Sequence, residues 1–222
     1  MKILDILQSG KRSIYVSQGG RYGQISRALV IPANPRTEDQ LNARQVLGTY
    51  AHNWRTLTES QRLAWIAAAA LIQTRPRLGQ SGPMTGSQLY VRTNCNNVLV
   101  GEPAETEPPA IPAFDANIIQ SLAITNPGGV VALNLNCSGT SGAFNTVWAT
   151  SPKSAGCRVT NDFYFLGTLP AVAGGKSNIT SLYTAKFGAP PVGTKVFARS
   201  HQILNGYADL PHQWSAITPA SS

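Results

Sequence analysis

The residues that could do chemistry are few and stand apart. His52, His201 and His212 share no H-x-x-x-H spacing and have no carboxylate pair beside them, so neither a metal centre nor an acid–base couple is implied. Gly174-Gly175-Lys176-Ser177 has the ending of a phosphate-binding loop. The glycine that such a loop needs five residues before Gly175 is Pro170, and only a short helical turn is expected afterwards; a hairpin turn explains the glycines. Ser138-Gly139-Thr140-Ser141-Gly142 lacks the G-x-S-x-G spacing of a nucleophile elbow. The three cysteines, Cys95, Cys137 and Cys157, are an odd number without metal-ligand spacing. Cys137 and Cys157 could meet across neighbouring strands, or all three could remain free thiols. No enzyme activity, no cofactor and no metal are expected.

Arginine and tyrosine interleave at the front of the chain, in Arg12, Tyr15, Arg21, Tyr22 and Arg27. Stacking combined with charge holds single-stranded nucleic acid. The same residue types are also preferred anchors of protein interfaces. Charge is unevenly placed: residues 1–100 carry the entire net +8, ten of their twelve cations being arginine, and residues 101–222 are balanced. Arginine forks suit protein partners as well as phosphates. Charged residues make up only 13% of the chain, about half the usual share, as expected of a surface partly covered by other subunits or of a Ser/Thr/Asn/Gly-coated extracellular or viral β-protein.

Three Thr-x-x-Gln signals, Thr37 to Gln40, Thr58 to Gln61 and Thr85 to Gln88, predict the elements that must position these residues. In each, the threonine hydroxyl can accept from the backbone N–H three residues on, and the glutamine can reach back to the threonine N–H. The first helix is expected to run to about residue 55 with Leu41, Val46, Leu47, Tyr50 and Trp54 on one face. The second, about 59–74, holds Leu63-Ala64-Trp65-Ile66-Ala67-Ala68-Ala69-Ala70-Leu71-Ile72 and is apolar almost all round, so it is expected to lie between layers or under another chain. A short connection makes these two an antiparallel hairpin. The third runs from Thr85 to about Val100, with Gly101 ending it and Met84 stapled to Leu89.

Before the helices, residues 11–31 read as two strand-like runs around Gln18-Gly19-Gly20-Arg21-Tyr22-Gly23, closed by Pro32-Ala33-Asn34-Pro35. A two-stranded ribbon is marginal in water and needs a partner surface. After the helices, residues 102–116 form a proline-rich, acidic linker expected to be semi-rigid and extended. Strand-like runs follow at 118–125, 130–136, 145–150, 158–165, 195–201 and 207–217, with a short helical turn at 179–183. Six or seven strands with turn signals over about 100 residues indicate a β-sandwich. The fold class is therefore α+β: an extended arm or β-ribbon (1–36), a three-helix assembly domain (37–101), a linker (102–116) and a β-sandwich (117–222), the last of which resembles an immunoglobulin or fibronectin III domain.

The order Gly19-Gly20-Arg21-Tyr22-Gly23-Gln24, Arg27, Asn34-Pro35-Arg36-Thr37-x-x-Gln40-x-x-x-Arg44, Trp54-Arg55-x-Leu57-Thr58-x-x-Gln61-Arg62-x-x-Trp65 and Gly86-x-x-x-Tyr90-Val91-Arg92-x-Asn94 resembles a group of uncharacterised proteins encoded in phage and bacterial genomes. The Asn-Pro-Arg-Thr-x-x-Gln stretch also resembles a bacterial domain family of unknown function. The resemblance covers residues 10–100 and implies a phage setting, hence a virion part, without implying an activity.

These readings converge on a structural, self-assembling protein: a virion component that is capsid-associated, a decoration protein or part of a tail or fibre. Its partners are copies of itself and other particle proteins. The expected interface residues are Tyr15, Arg21, Tyr22, Arg27, Arg36, Leu63 and Ile66. A bacterial extracellular filament subunit is the competing assembly, and a nucleic-acid-binding module using the basic front half is the competing class. Glycan contact through the sandwich is neither required nor forbidden by its residues. The start of the chain is too short and polar for a signal peptide, and its longest apolar run of ten residues cannot span a bilayer, so no membrane partner is expected and the protein is expected to be made in the cytoplasm.

Overall fold

The structure, a computed structural model, describes residues 2–3, 9–20, 23–31, 36–73, 82–139 and 141–221. The chain divides into two compact units, Met1–Asn42 and Ala43–Ser222. The first holds four antiparallel strands, β1 (Lys2–Ile3), β2 (Gly10–Arg12), β3 (Tyr15–Gly20) and β4 (Gly23–Ala28), in the order β1-β4-β3-β2. The expected ribbon is thus the centre of a small sheet. Its pairing continues through Gly19 and Gly20, which were expected in a turn: Gly20 stands opposite Gly23. Arg21, Tyr22 and the Pro32-Ala33-Asn34-Pro35 stop lie outside the described residues. Helix α1 (Glu38–Asn53) follows, the division between the units falling inside it, and ends in a 3-10 turn at Trp54–Thr56.

Within the second unit, α2 (Glu59–Ala70) and α3 (Gly86–Val100) start where the sequence predicts. Both capping boxes form with both reciprocal bonds. At α1 the box is half made: the Gln40 N–H donates to the Thr37 hydroxyl at 3.4 Å, while the Gln40 Oε1 has no partner. Gly101 closes α3 in the left-handed region at φ 81°. The helices share a core of Leu57, Trp65, Ala69, Leu89 and Tyr90, against which Tyr50, Trp54 and Met84 pack from the side. Trp65 meets the Tyr90 ring edge-on at 5.4 Å between centroids. The principal partner of α2 is α3. They approach so closely that a side chain at Gly86 would strike the Ile66 backbone.

The remaining elements are β5 (Ile119–Thr125), β6 (Ala132–Cys137), β7 (Phe144–Ala149), β8 (Lys153–Ser154), β9 (Tyr164–Thr168), β10 (Lys176–Asn178), α4 (Thr180–Phe187), β11 (Thr194–Leu204), β12 (Tyr207–Ala208) and β13 (His212–Ile217). One antiparallel sheet has the order β10-β6-β5. The other runs β12-β11-β7-β9, with β13 and β8 also paired to β11. Alternate residues of both sheets, among them Leu122, Leu133, Leu135, Val147, Val196 and Ala198, join Ile179 and Tyr183 in a single apolar core. Burial pushes the Tyr183 phenol well above its ordinary pKa, and its hydroxyl donates to the Thr150 carbonyl at 3.1 Å. All three cysteines are free.

Two strand expectations change. Residues 158–165 form a strand only from Tyr164, because Thr160 and Asn161 bond locally: the Asp162 N–H donates to the Thr160 hydroxyl and the Phe163 N–H to the Asn161 carbonyl. The 207–217 run breaks at Asp209-Leu210-Pro211, since proline has no N–H for the ladder. The β11–β12 hairpin turns on Asn205-Gly206, both at positive φ, the pairing that a two-residue type I′ turn requires.

The proline-rich segment is not a free spacer. Its carbonyls are taken one after another by side-chain donors of the helices and the hairpin. Asn97 Nδ2 donates to Pro103 at 3.0 Å, Asn94 Nδ2 to Glu105 at 3.2 Å, and Trp65 Nε1 to Thr106 at 2.9 Å. Tyr207 donates to Pro109 at 3.2 Å and Asn205 to Ala110 at 3.3 Å. A stretch with four prolines offers many carbonyls and few N–H groups, so donors are what it needs.

Candidate assembly interface

The four-stranded sheet has no buried apolar side chain among its described residues; Ser17 alone is buried. Tyr15 and Ile25 are about half exposed, while Val30 and Ile31, just past β4, are 78% and 80% exposed. Residues directly opposite each other share a face, and neighbours along a strand alternate. Arg12, Tyr15 and Ala28 therefore form one row, and Lys11, Val16 and Arg27 form the next row on the opposite face. The interleaved arginines and tyrosines of the sequence do not make one surface: Tyr15 and Arg27 point to opposite sides. Arg36 is exposed, at φ 50°. Arg21 and Tyr22, expected at the same interface, lie outside the described residues.

In the second unit α2 is not buried between layers of its own chain, one of the two alternatives the sequence left open. Trp65 and Ala69 are fully buried against α3, but Leu63 is 56% exposed and Ile66 52%. Glu59, Leu63, Ile66 and Ala70 stand at i, i+4, i+7 and i+11, so they form one stripe along the helix, with Ala67 beside it. All five are exposed. The alternatives posed by the sequence were burial between layers and a cover from another chain. What distinguishes the two faces is the ring of Tyr90, which Trp65 meets edge-on.

None of α1 is buried, and Leu41 and Leu47 of its expected apolar face are about half exposed. Between α1 and α3 lies a cleft of about 630 Å3. Leu47, Ala51, Trp54, Val91 and Cys95 make it apolar, and Arg55 and Arg92 bring positive charge. This cleft was not foreseen from the sequence. Its signal was the three- and four-residue spacing of Leu47, Ala51 and Trp54 facing that of Val91 and Cys95. Burial holds the Cys95 thiol above its ordinary pKa, so it is protonated at neutral pH.

Among the described residues no group of three His, Cys, Asp or Glu side chains is arranged to hold a metal ion, and no helix is long and apolar enough to cross a membrane. No protein family matches the sequence, and no curated protein or solved structure matches it.

Proposed function

We propose that this chain is a structural protein that assembles with copies of itself. The observation that carries the reading is the N-terminal sheet, in which the described residues bury no apolar side chain while Tyr15, Ile25, Val30 and Ile31 stay open to water. A small sheet whose described residues bury no apolar side chain gains stability by adding strands or covering a face. Leu63 and Ile66 add a second open surface. Each retains about half of its side chain to bury, on the order of 1 kcal/mol apiece. The β-rich region is read as a projecting sandwich of immunoglobulin or fibronectin III type, supported by two antiparallel sheets over one core.

The setting proposed is a phage particle, as a capsid-associated, decoration or tail and fibre component, which rests on the motif string of residues 10–100. An extracellular filament subunit uses the same surfaces. The second class of reading, nucleic-acid binding, is favoured by the row of Lys11 and Arg27; it carries the signature of affinity falling steeply between low and moderate salt. Removing residues 1–31 tests the assembly reading. The truncated chain is expected to give monomers or small species in light scattering where the full chain gives large ones, and full-size assembly by the truncated chain would remove the sheet as connector.

A further inference from the structure

We infer that the open stripe of α2 on one copy seats in the α1–α3 cleft of the next copy, a head-to-tail contact. This rests on the self-assembly reading and names the surface that receives α2. Trp65 and Ala69 hold α2 in its own helical core, so its outward stripe is committed to a neighbour. The stripe and the cleft are complementary in kind. A two-helix groove with a largely apolar lining accepts the apolar face of a third helix through anchors at i, i+3, i+4 and i+7, and Leu63, Ile66, Ala67 and Ala70 have that spacing.

Charge orients the contact. The stripe begins with Glu59 in the first turn of α2, and the cleft presents Arg55 and Arg92. Arg55 makes no ion pair among the described residues, so a carboxylate arriving from outside finds a cation without a competitor. Pairing α2 with α2 of another copy would instead bring Glu59 only to Arg62, which it already meets at 3.5 Å in its own helix. Because the two surfaces are different patches of one molecule, the contact is heterologous and propagates into a ring or a filament.

The test is a directed crosslink in the full chain with Cys137 and Cys157 replaced by Ser. Leu63→Cys is oxidised with a copper catalyst. The expected product is a ladder of disulfide-linked dimers, trimers and larger species on a non-reducing gel, lost when Cys95→Ser is added. A dimer that persists with Cys95→Ser places two α2 stripes face to face and overturns the inference while leaving self-assembly standing. A monomer-sized oxidised band, or no crosslink in a chain that still assembles by light scattering, overturns it as well. Absence of any assembly takes the functional reading down with it. A cysteine-free check uses the charges: Glu59→Arg and Arg55→Glu are each expected to raise the concentration for half-assembly about tenfold. The double exchange is expected to restore it, and singles without effect would count against the contact.

Discussion

Asn94 shows what a single side chain contributes here. It is fully buried on α3, and its amide behaves as the edge of a missing strand. Its Oδ1 accepts from the Glu105 N–H at 2.7 Å, and its Nδ2 donates to the Glu105 and Tyr90 carbonyls at 3.2 and 3.0 Å. Asn94→Ala leaves both backbone groups of Glu105 without these partners in a half-buried site, so a loss of about 1–3 kcal/mol is expected. It should appear as a lower urea midpoint with an unchanged slope. Asn96, which gives one bond to the Gly206 carbonyl at 2.8 Å, makes the control: Asn96→Ala should lose about 1 kcal/mol. None of this was legible in the sequence. Asparagine is an indifferent helix former, and nothing in the spacing of Asn94 and Asn97 announces these bonds. The hint lay in the partner segment, whose prolines supply carbonyls and withhold N–H groups.

At the level of elements, helix starts were legible and helix surroundings were not. Thr58, Gln61, Thr85 and Gln88 determine their boundaries by bonds within four residues, so position in the chain is enough to find them. Gly101 does the same at the end of α3. What covers α2 depends on residues far along the chain, and composition alone left burial between layers and cover by another chain equally open. The strand runs failed for a related reason: Asn161 and Pro211 act locally against β-structure, but their neighbours' apolar alternation hides them. The capping geometry yields a graded prediction. Thr58→Ala and Thr85→Ala should each lower stability by about 1 kcal/mol, because both bonds of each box are made. Thr37→Ala should lose only a fraction of that, since its box has a single long bond and α1 contributes no buried residue. Chemical denaturation of the three variants checks the order, and an equal loss at Thr37 would contradict the half-made box.

For the whole molecule, the sequence suggests a helical domain and a β-domain joined by a spacer, whereas α3 and the β-strands belong to one compact unit from Ala43 to Ser222. Among the strands, α3 lies against β7, β9, β11 and β12. Gly206, at φ 73° in the β11–β12 turn, sits against Thr93 and Asn97 of α3, and an added Cβ would overlap both. The adjacent Tyr207 clasps the proline-rich segment, and its phenol is raised by burial and partly lowered again by Arg92 of α3. Gly206→Ala therefore combines left-handed backbone strain of about 1–2 kcal/mol with a steric clash that must push α3 off the hairpin. A total near 3 kcal/mol would lower the melting temperature of a unit this size by roughly 6–12 °C. Calorimetry of the full chain should show helices and sheets melting together in the wild type, and a shifted, broader or split transition in the variant as the two halves lose their common contact. A wild-type melt for Gly206→Ala would mean that α3 and the hairpin do not touch at Gly206.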